Sequence, residues 1–324
     1  MLRFFVTSSL RSVMPAVVRG CCVAGALFVV SAAASGGDTN SADGSAATFT
    51  NSVGIELIEI PAGRFEMGAP ESEAGSRLDE RPVHEVRITQ PFWLGVYEVT
   101  QAQYEAVTGE NPSYFSSSGG GAKKVAGMNT DRFPVEQVSW KEAVEYCRLL
   151  SARPEEIEAG RIYRLPNEAE WQYACRAGTQ TPFYFGESLG SDQANINGNF
   201  PYGGAERGPF LGRTCDVGSY EPNAFGLYDM HGNVAEMMND WYARYYFEDS
   251  PGVDPQGPEK GSDKVVLGGS WGTDAARCRS SFRRSNATSG SAYFFGFRVA
   301  CDIVTPQEAA ADAAEKAKAA AEAK

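Results

Sequence analysis

Residues 265–302 read VVLGGSWGTDAARCRSSFRRSNATSGSAYFFGFRVACD. The apolar runs VVL at the start and FFGFRVA near the end predict two strands, which bracket a polar loop of about two dozen residues. Loops of that length in compact domains are usually functional. The pair Gly268-Gly269 permits a backbone turn that side chains would block. We therefore expect the functional site in this loop, close to Ser270 and Cys278.

The chain is acidic, with a formal net charge of −12 over 324 residues. Residues 1–34 hold three arginines and no acidic residue, followed by an apolar run and three alanines. This order is typical of an export signal, and its apolar core is too short to span a bilayer as a helix. Removal of the signal changes the formal charge to −15, since three positive charges leave. Met14 offers an alternative start to Met1.

The charge and the signal together limit the partners and the compartment. A strongly acidic protein repels nucleic acid and anionic membrane surfaces. We expect a periplasmic or secreted protein that binds no nucleic acid and has no stable membrane span once the signal is removed. The expected partner is an exported protein, a peptide or a glycan.

Composition divides the rest of the chain into three parts. Residues 35–50 lack the apolar content needed to fold and are interpreted as a flexible linker. Residues 51–302 show no further linker and are long enough for one large domain. Residues 303–324 are rich in alanine, glutamate and lysine, so they predict a solvated helical tail.

Local patterns predict several elements. Alternation in IELIEIPAGRFEMG favours a hairpin around Pro61, and the charged residues 71–85 favour a surface loop. Thr100, Ser139 and Asn167 each stand three positions before a Gln or Glu, which predicts three capped helices. They are expected to end near residues 108, 152 and 177, with core positions at Tyr104, Val144, Leu149, Trp171 and Tyr173. Short helices in a chain rich in glycine and proline indicate an irregular α+β domain.

The chain has two histidines, His84 and His231. His84 is expected to be a surface or packing residue, and His231 a structural one. An iron site of two histidines and one carboxylate would need both of them, which disfavours that kind of enzyme.

The loop motif and two upstream motifs, LPNEAEW and GLYDMHGNVAE, occur in the order found in one family. From about residue 54 to 302 the chain resembles the formylglycine-generating enzyme (sulfatase-modifying factor) family. The resemblance implies that family's fold, which is C-type-lectin-like, irregular and low in secondary structure.

Active members, as the resemblance implies, oxidise a substrate cysteine to formylglycine with oxygen and a Cu(I) ion held by two thiolates five residues apart. The later thiolate falls on Cys278 and the earlier position on Thr273. Cu(I) prefers soft thiolates to a hydroxyl, so we do not expect copper. Ser270 is a pocket hydroxyl by resemblance, but no base lies near it in sequence. Ala235 stands where active relatives carry tryptophan.

Calcium is the cofactor that the resemblance implies. One site would use carboxylates and backbone carbonyls at Asp229, Gly232, Val234 and Glu236, in a turn running into a helix. Such oxygen donors suit calcium. The alternative is that Asp229 and Glu236 only cap a helix or pair with an arginine. A second site would use Asn195 and Ile196, but its later acidic position falls on Pro209, with Glu206 as a stand-in. The alternative for that segment is a loop fixed by amide hydrogen bonds.

The mature chain keeps five cysteines, an odd number for an oxidising compartment. They are Cys147, Cys175, Cys215, Cys278 and Cys301. The resemblance implies a disulfide between Cys147 and Cys301. Cys278 is then a free thiol, activated by its arginine neighbours if exposed, or bridged to Cys175.

Five arginines make the loop locally basic: Arg277, Arg279, Arg283, Arg284 and Arg298. They either pair with interior carboxylates or form a site for an acidic peptide or sulfated ligand.

Three functions remain open from the sequence. The first is an exported maturation factor that oxidises another exported protein or metabolite, as some relatives without the copper cysteine pair do in siderophore maturation. The second is a non-catalytic module that binds a peptide or glycan. The third is an active formylglycine-generating enzyme, which would need another cysteine, such as Cys215, near Cys278.

Overall fold

The computed structural model describes residues 46–305. The predicted export signal, residues 35–45 of the predicted linker and the tail beyond residue 305 lie outside the described residues. The strands described are β1 (Thr48–Thr50), β2 (Glu56–Ile60), β3 (Gly63–Met67), β4 (His84–Ile88), β5 (Phe92–Gly95), β6 (Arg161–Arg164), β7 (Ala235–Trp241), β8 (Asp263–Leu267), β9 (Arg284–Ala287), β10 (Phe295–Gly296) and β11 (Ala300–Ile303). The helices are α1 (Gln101–Thr108), α2 (Trp140–Ser151), α3 (Pro154–Glu158), α4 (Glu168–Arg176) and α5 (Tyr246–Asp249). Short elements joined by long irregular segments confirm the predicted α+β class.

The largest sheet has the strand order β1-β2-β5-β11-β6, and each neighbouring pair is antiparallel. Successive residues of a strand point to opposite faces. In β11, Ala300 therefore packs in one apolar core and Cys301 in the other. The core around Cys301 includes residues of α1 and α2, and the core around Ala300 includes residues of α4.

A second sheet, of order β10-β7-β8-β9, positions the C-terminal loop. Strands β7 and β8 pair antiparallel, and β8 leads directly into Gly268 and Gly269. Both glycines have positive φ, +83° and +71°, which confirms the predicted turn. Among residues 46–305 no helix is both long and apolar enough to cross a membrane.

The three predicted helix starts are confirmed as capping boxes. The Thr100 hydroxyl accepts from the Gln103 backbone N–H at 3.3 Å, and the Gln103 side chain accepts from the Thr100 N–H at 2.9 Å. The box at Ser139 closes in the same reciprocal way, and at Asn167 the Glu170 carboxylate accepts from the Asn167 backbone N–H at 2.8 Å. Gly109 ends α1 in the left-handed conformation, which glycine adopts without strain.

Two of the predicted core positions were wrong. Tyr104, Trp171 and Tyr173 are buried as predicted, but Val144 is 36% exposed and Leu149 is only partly buried. The buried face of α2 consists of Ala143, Tyr146, Cys147 and Leu150. These positions follow the spacing of one helical face, which Val144 and Leu149 flank.

The hairpin predicted around Pro61 and the end of the predicted linker were also wrong. Strand β2 pairs with β1 and β5, whereas β3 pairs with β4, so the turn at Pro61 leads from one sheet to another. Alternation predicts strands but does not specify their partners. The linker prediction for residues 35–50 failed at β1, where Phe49 is buried 4.8 Å from the Trp93 ring. Backbone pairing of β1 with β2 and the burial of Phe49 together attach this polar segment to the core.

The polar loop of the C-terminal stretch contains a strand that the sequence did not predict. Strand β9 has the polar sequence RSNA and pairs antiparallel with β8. Because its side chains are mostly polar, no run of apolar residues predicts this strand. The segment predicted as a single strand at residues 294–300 instead divides into β10 and the start of β11.

The predicted disulfide is not formed. Cys147 and Cys301 are buried in the same core, but all five cysteines of residues 46–305 are free thiols. Helix α2, which carries Cys147, packs against β6, the neighbour of β11 in the sheet. Burial raises the pKa of the Cys147 thiol to about 12, which keeps that thiol protonated and unreactive at neutral pH.

Candidate functional site

Thr273 and Cys278 come together in the C-terminal loop. Thr273 Oγ1 lies 3.3 Å from Cys278 Sγ, within hydrogen-bonding distance for sulfur. The Thr273 hydroxyl also accepts from the Ser270 backbone N–H at 2.9 Å and lies 3.0 Å from the Ser270 carbonyl oxygen. A Cβ atom at Gly269 would stand 2.3 Å from Cys278 Sγ, so glycine is required there. The turn thus holds the two side chains in contact.

The Cys278 thiol is fully buried. The activation by its arginine neighbours that was expected for an exposed thiol is therefore not observed. Burial raises its pKa to about 12, while the Thr273 hydrogen bond opposes that change. The Arg279 guanidinium is bonded to interior carboxylates rather than to the sulfur. Cys278 is therefore a neutral thiol at physiological pH and a weak nucleophile.

The residues present do not fit a Cu(I) site. Such a site needs two soft thiolates. The earlier of the two positions holds the Thr273 hydroxyl, which already bonds the Ser270 backbone. Cys215, the substitute considered from sequence, has its sulfur 3.8 Å from the Asn233 side-chain oxygen. Cys175 lies near Ser280 and His231, with its sulfur 3.5 Å from the Ser280 hydroxyl.

Ser270 is buried behind the loop rather than exposed to a ligand. It is 1% exposed, and its hydroxyl has no hydrogen-bond partner within residues 46–305. A nucleophilic serine requires a base within hydrogen-bonding reach. Ser270 therefore does not act as one.

An open cleft of about 590 Å³ adjoins Thr273. Its lining comprises Gly75, Arg77, Ala235, Val266, Leu267, Gly269, Thr273, Asp274, Ala276, Arg277, Phe282 and Arg284. Ala235 thus lines the cleft at the position where a tryptophan was expected from the resemblance. A small side chain there leaves volume that an indole would fill.

Three of the five loop arginines pair with interior carboxylates, as one of the two sequence interpretations held. Arg283 and Arg298 form two-bond pairs with Glu168 and Glu236, respectively. Each of these four side chains is at most 1% exposed. These pairs join distant parts of the chain and have a structural role.

Arg279 shows that residues 71–85 are not simply a surface loop. Its guanidinium bonds both oxygens of Glu80 and also contacts Glu73. The side chains of Glu80 and Glu73 are 0% and 4% exposed. The charged appearance of this segment was misleading because its carboxylates neutralise a buried cation.

Arg277 and Arg284 face the cleft together with Arg77. The Arg277 side chain is 60% exposed and lies 3.4 Å from Asp274. Arg284 forms no ion pair within residues 46–305. Sequence reasoning included Arg277 and Arg284 among the loop arginines but missed Arg77, which only the fold brings to the cleft.

The predicted calcium segment runs into a strand, β7, and not into a helix. Both Glu236 oxygens bond Arg298 at 2.7 Å, and Trp171 Nε1 donates to one of them. Asp229 accepts from the Gly218 N–H at 2.7 Å. The alternative weighed for Glu236, pairing with an arginine, is therefore observed.

Glu98 adds a third buried carboxyl group that sequence reasoning missed. Its oxygens accept from the Asn233 side chain and from the Val234 N–H. Burial raises the pKa of Glu98 well above its usual range, and the charges of Asp229 and Glu236 raise it further. The charge of Arg298 acts in the opposite direction and lowers the pKa of Glu98 and of Asp229. Carboxyl groups that are kept protonated by burial and by one another could ionise around a bound cation, so the cluster is compatible with one.

Within residues 46–305 no three acidic, histidine or cysteine side chains are grouped as metal ligands. A calcium site here would therefore depend on the backbone carbonyls of Gly232 and Val234 as well as on the carboxylates. Hard oxygen donors of this kind suit calcium.

The second predicted calcium segment forms a hydrogen-bonded loop. Asn195 Nδ2 donates to the Arg213 carbonyl and to Asn233 Oδ1, each at 3.1 Å. Asn195 Oδ1 is buried without a partner within residues 46–305, and Ile196 packs in a small apolar cluster. Glu206, the possible stand-in, is exposed, as is Pro209.

His231 has the structural role that the sequence favoured. Its Nδ1 lies 2.7 Å from the Cys278 carbonyl oxygen, and its Nε2 accepts from the Tyr184 N–H. Burial lowers its pKa to about 3, so the ring is neutral. His84 lies in β4 with its ring 5.1 Å from that of Phe247, which is consistent with packing.

Comparisons with known proteins agree with this fold. The sulfatase-modifying factor enzyme 1-like domain matches residues 44–303. The formylglycine-generating enzyme of Streptomyces coelicolor is 32% identical over 301 residues, covering 79% of this chain and 92% of the relative. That of Thermomonospora curvata is 32% identical, covering 76% and 93%. The solved structure of PvdO from Pseudomonas aeruginosa is 30% identical with a TM-score of 0.64, covering 79% and 97%. The chain therefore belongs to the formylglycine-generating enzyme (sulfatase-modifying factor) family.

Proposed function

We propose that this family member binds a peptide or glycan segment of an exported partner in its cleft, without copper-dependent oxidation of cysteine. The observation that carries the proposal is the contact between Thr273 Oγ1 and the buried, neutral thiol of Cys278. A hydroxyl in this position leaves one sulfur donor where Cu(I) needs two. Loss of the metal site leaves the adjoining cleft as the functional feature.

The cleft itself supports binding. Its volume of about 590 Å³ lies within the range of small-ligand sites. Apolar side chains at Ala235 and Phe282 and polar groups at Thr273 and Asp274 line the same space. Such a mixture can hold an extended segment of a larger molecule.

The test is an array of degenerate pentapeptides and glycans, probed with the wild type and with Ala235→Trp. We expect bound array members to be lost in Ala235→Trp, because the indole would occupy the cleft. Ala106→Trp, at an exposed position on α1, is the matched control and should keep binding. Ligands that bind both tryptophan variants equally would show that the cleft is not the site.

A second experiment tests the copper statement. A Cys-x-Pro-x-Arg peptide is incubated with the protein, Cu(I) and oxygen, and its mass is followed. We expect no aldehyde product. Aldehyde formation that requires Cys278 would contradict the proposal and favour an active formylglycine-generating enzyme.

Oxidative maturation of an exported protein or metabolite is the second candidate. Retention of Cys278 directly behind the cleft-lining Thr273 favours it. Cys278→Ser separates the two functions, since a binding module keeps its array ligands in this variant. An oxidising enzyme that uses the thiol would lose product formation.

Export belongs to the same proposal. The basic, apolar and small-residue order of residues 1–34 supports export to the periplasm or medium. Fractionation of the expressing cell, with N-terminal sequencing of the mature chain, tests this. Unprocessed protein in the cytoplasm would contradict it.

A further inference from the structure

Arg284 is a partly buried cation on the wall of the cleft with no carboxylate partner within residues 46–305. Its guanidinium carbon lies 5.0 Å from the centre of the Phe294 ring and 4.8 Å from that of Phe295. Burial lowers the pKa of Arg284, and the positive charge of Arg277 lowers it further. A desolvated cation beside a like charge favours an anionic ligand.

Two further arginines reach the same cleft. Arg277 has a loose contact with Asp274, 3.4 Å apart between partly exposed side chains, and such pairs hold weakly in water. Arg77 bonds the buried carboxylate of Asp79 at 2.8 Å. Asp274 is the acidic residue among the lining residues. Positive charge therefore exceeds negative charge on the cleft wall, in a chain whose net charge is −12.

We propose that the cleft selects an acidic peptide segment and binds one of its side-chain carboxylates through Arg284, with Arg277 beside it. This rests on the proposed binding function and names its ligand class. The planar guanidinium fork matches a carboxylate with two parallel hydrogen bonds. The guanidinium carbon lies over the two phenylalanine rings, and these cation–π contacts use none of its N–H groups, which leaves them for the ligand.

The charge distribution favours a short acidic segment over an extended polyanion. A long polyanion would extend beyond the cleft and be repelled by the net negative charge of the chain. A short peptide places its carboxylates only against the basic wall. Apolar lining at Ala235 and Phe282 suits an apolar residue between the acidic ones.

The test is fluorescence anisotropy with two fluorescein-labelled pentapeptides, Gly-Glu-Phe-Glu-Gly and Gly-Gln-Phe-Gln-Gly. We expect the glutamate peptide to bind at least about tenfold more tightly, since hydrogen bonds between charged groups are stronger than neutral ones. Arg284→Gln should remove this preference. Arg148→Gln, which removes an exposed arginine on α2, should keep it. The preference should also weaken as salt rises above about 0.15 M.

Each outcome has a separate meaning. Equal affinity for the two peptides in the wild type would overturn the acidic preference, while array ligands lost in Ala235→Trp would still support binding in the cleft. A preference that survives in folded Arg284→Gln would overturn the assignment to Arg284. Tighter binding of a sulfated disaccharide than of the glutamate peptide would overturn the peptide class. If Arg284→Gln does not fold, Arg277→Gln at an exposed position replaces it, and a preference unchanged in that variant would count against the shared basic wall.

Discussion

The Thr273 hydroxyl and the Cys278 thiol lie 3.3 Å apart, across a turn that Gly268 and Gly269 make possible. Their separation shows that the loop retains contact between two positions five residues apart in sequence. What differs from a copper site is the chemistry of one donor atom.

Thr273→Cys should therefore create Cu(I) binding where the wild type has none, because it supplies a second soft sulfur beside Cys278. The measurement is competition for Cu(I) against a coloured chelator under anaerobic conditions. Thr273→Ser is the matched control and should remain without affinity. A cysteine variant that stays folded yet gains no affinity would mean that the loop has diverged in more than this residue.

The buried pair of Arg298 and Glu236 should be important for stability. Arg298→Met leaves the Glu236 carboxylate unpaired beside Glu98 and Asp229, so we expect a loss of about 3–5 kcal/mol in the free energy of unfolding. Urea denaturation measures it. The double variant Arg298→Met/Glu236→Met should lose less, because the charge of Glu236 is removed together with that of its partner. Arg148→Ala in an exposed pair should change stability by at most about 1 kcal/mol.

Asp240 should make stability fall as pH rises. Burial, followed by the charge of Glu168, raises the pKa of Asp240 from 3.8 to about 8. Between these two pH values the folded chain holds a proton that the unfolded chain has released. The contribution of Asp240 to stability is therefore complete below the pKa of the unfolded chain and is lost as the pH rises through the pKa of the folded chain. Asp240→Asn removes this loss.

The measurement is urea denaturation at about pH 5 and about pH 9. We expect Asp240→Asn to be more stable relative to wild type at the higher pH than at the lower one. Asp131→Asn, at an exposed position, is the control and should show no such difference. A parallel pH dependence of wild type and Asp240→Asn would contradict the prediction.

Calcium should stabilise the folded chain. The buried carboxyl groups of Glu98, Asp229 and Glu236 outnumber the single guanidinium of Arg298, so a cation would relieve their repulsion. Chelation should lower the melting temperature, and calcium at about 1 mM should restore it. Asp229→Asn should reduce this response, whereas Glu105→Gln on the exposed face of α1 should not. Identical melting curves with and without chelator would rule out the site.

The helix starts show what local sequence could predict. The capping boxes at Thr100, Ser139 and Asn167 depend on side chains three residues apart, and all three are observed. Strand partners were harder to predict. The alternation around Pro61 indicated strands correctly, but β2 and β3 pair in different sheets because pairing depends on distant residues.

The sequence by itself determined the family, the α+β class, the turn at Gly268-Gly269 and the presence of one thiol where a copper pair would stand. Each of these depends on residue types at short, fixed spacing. Only the tertiary structure decided which arginines are structural and which face the cleft. Arg279, Arg283 and Arg298 meet Glu80, Glu168 and Glu236 from far along the chain, whereas Arg284 meets no carboxylate within residues 46–305. Pairing across the fold sets the burial and the charge balance of each side chain, and local sequence does not encode either.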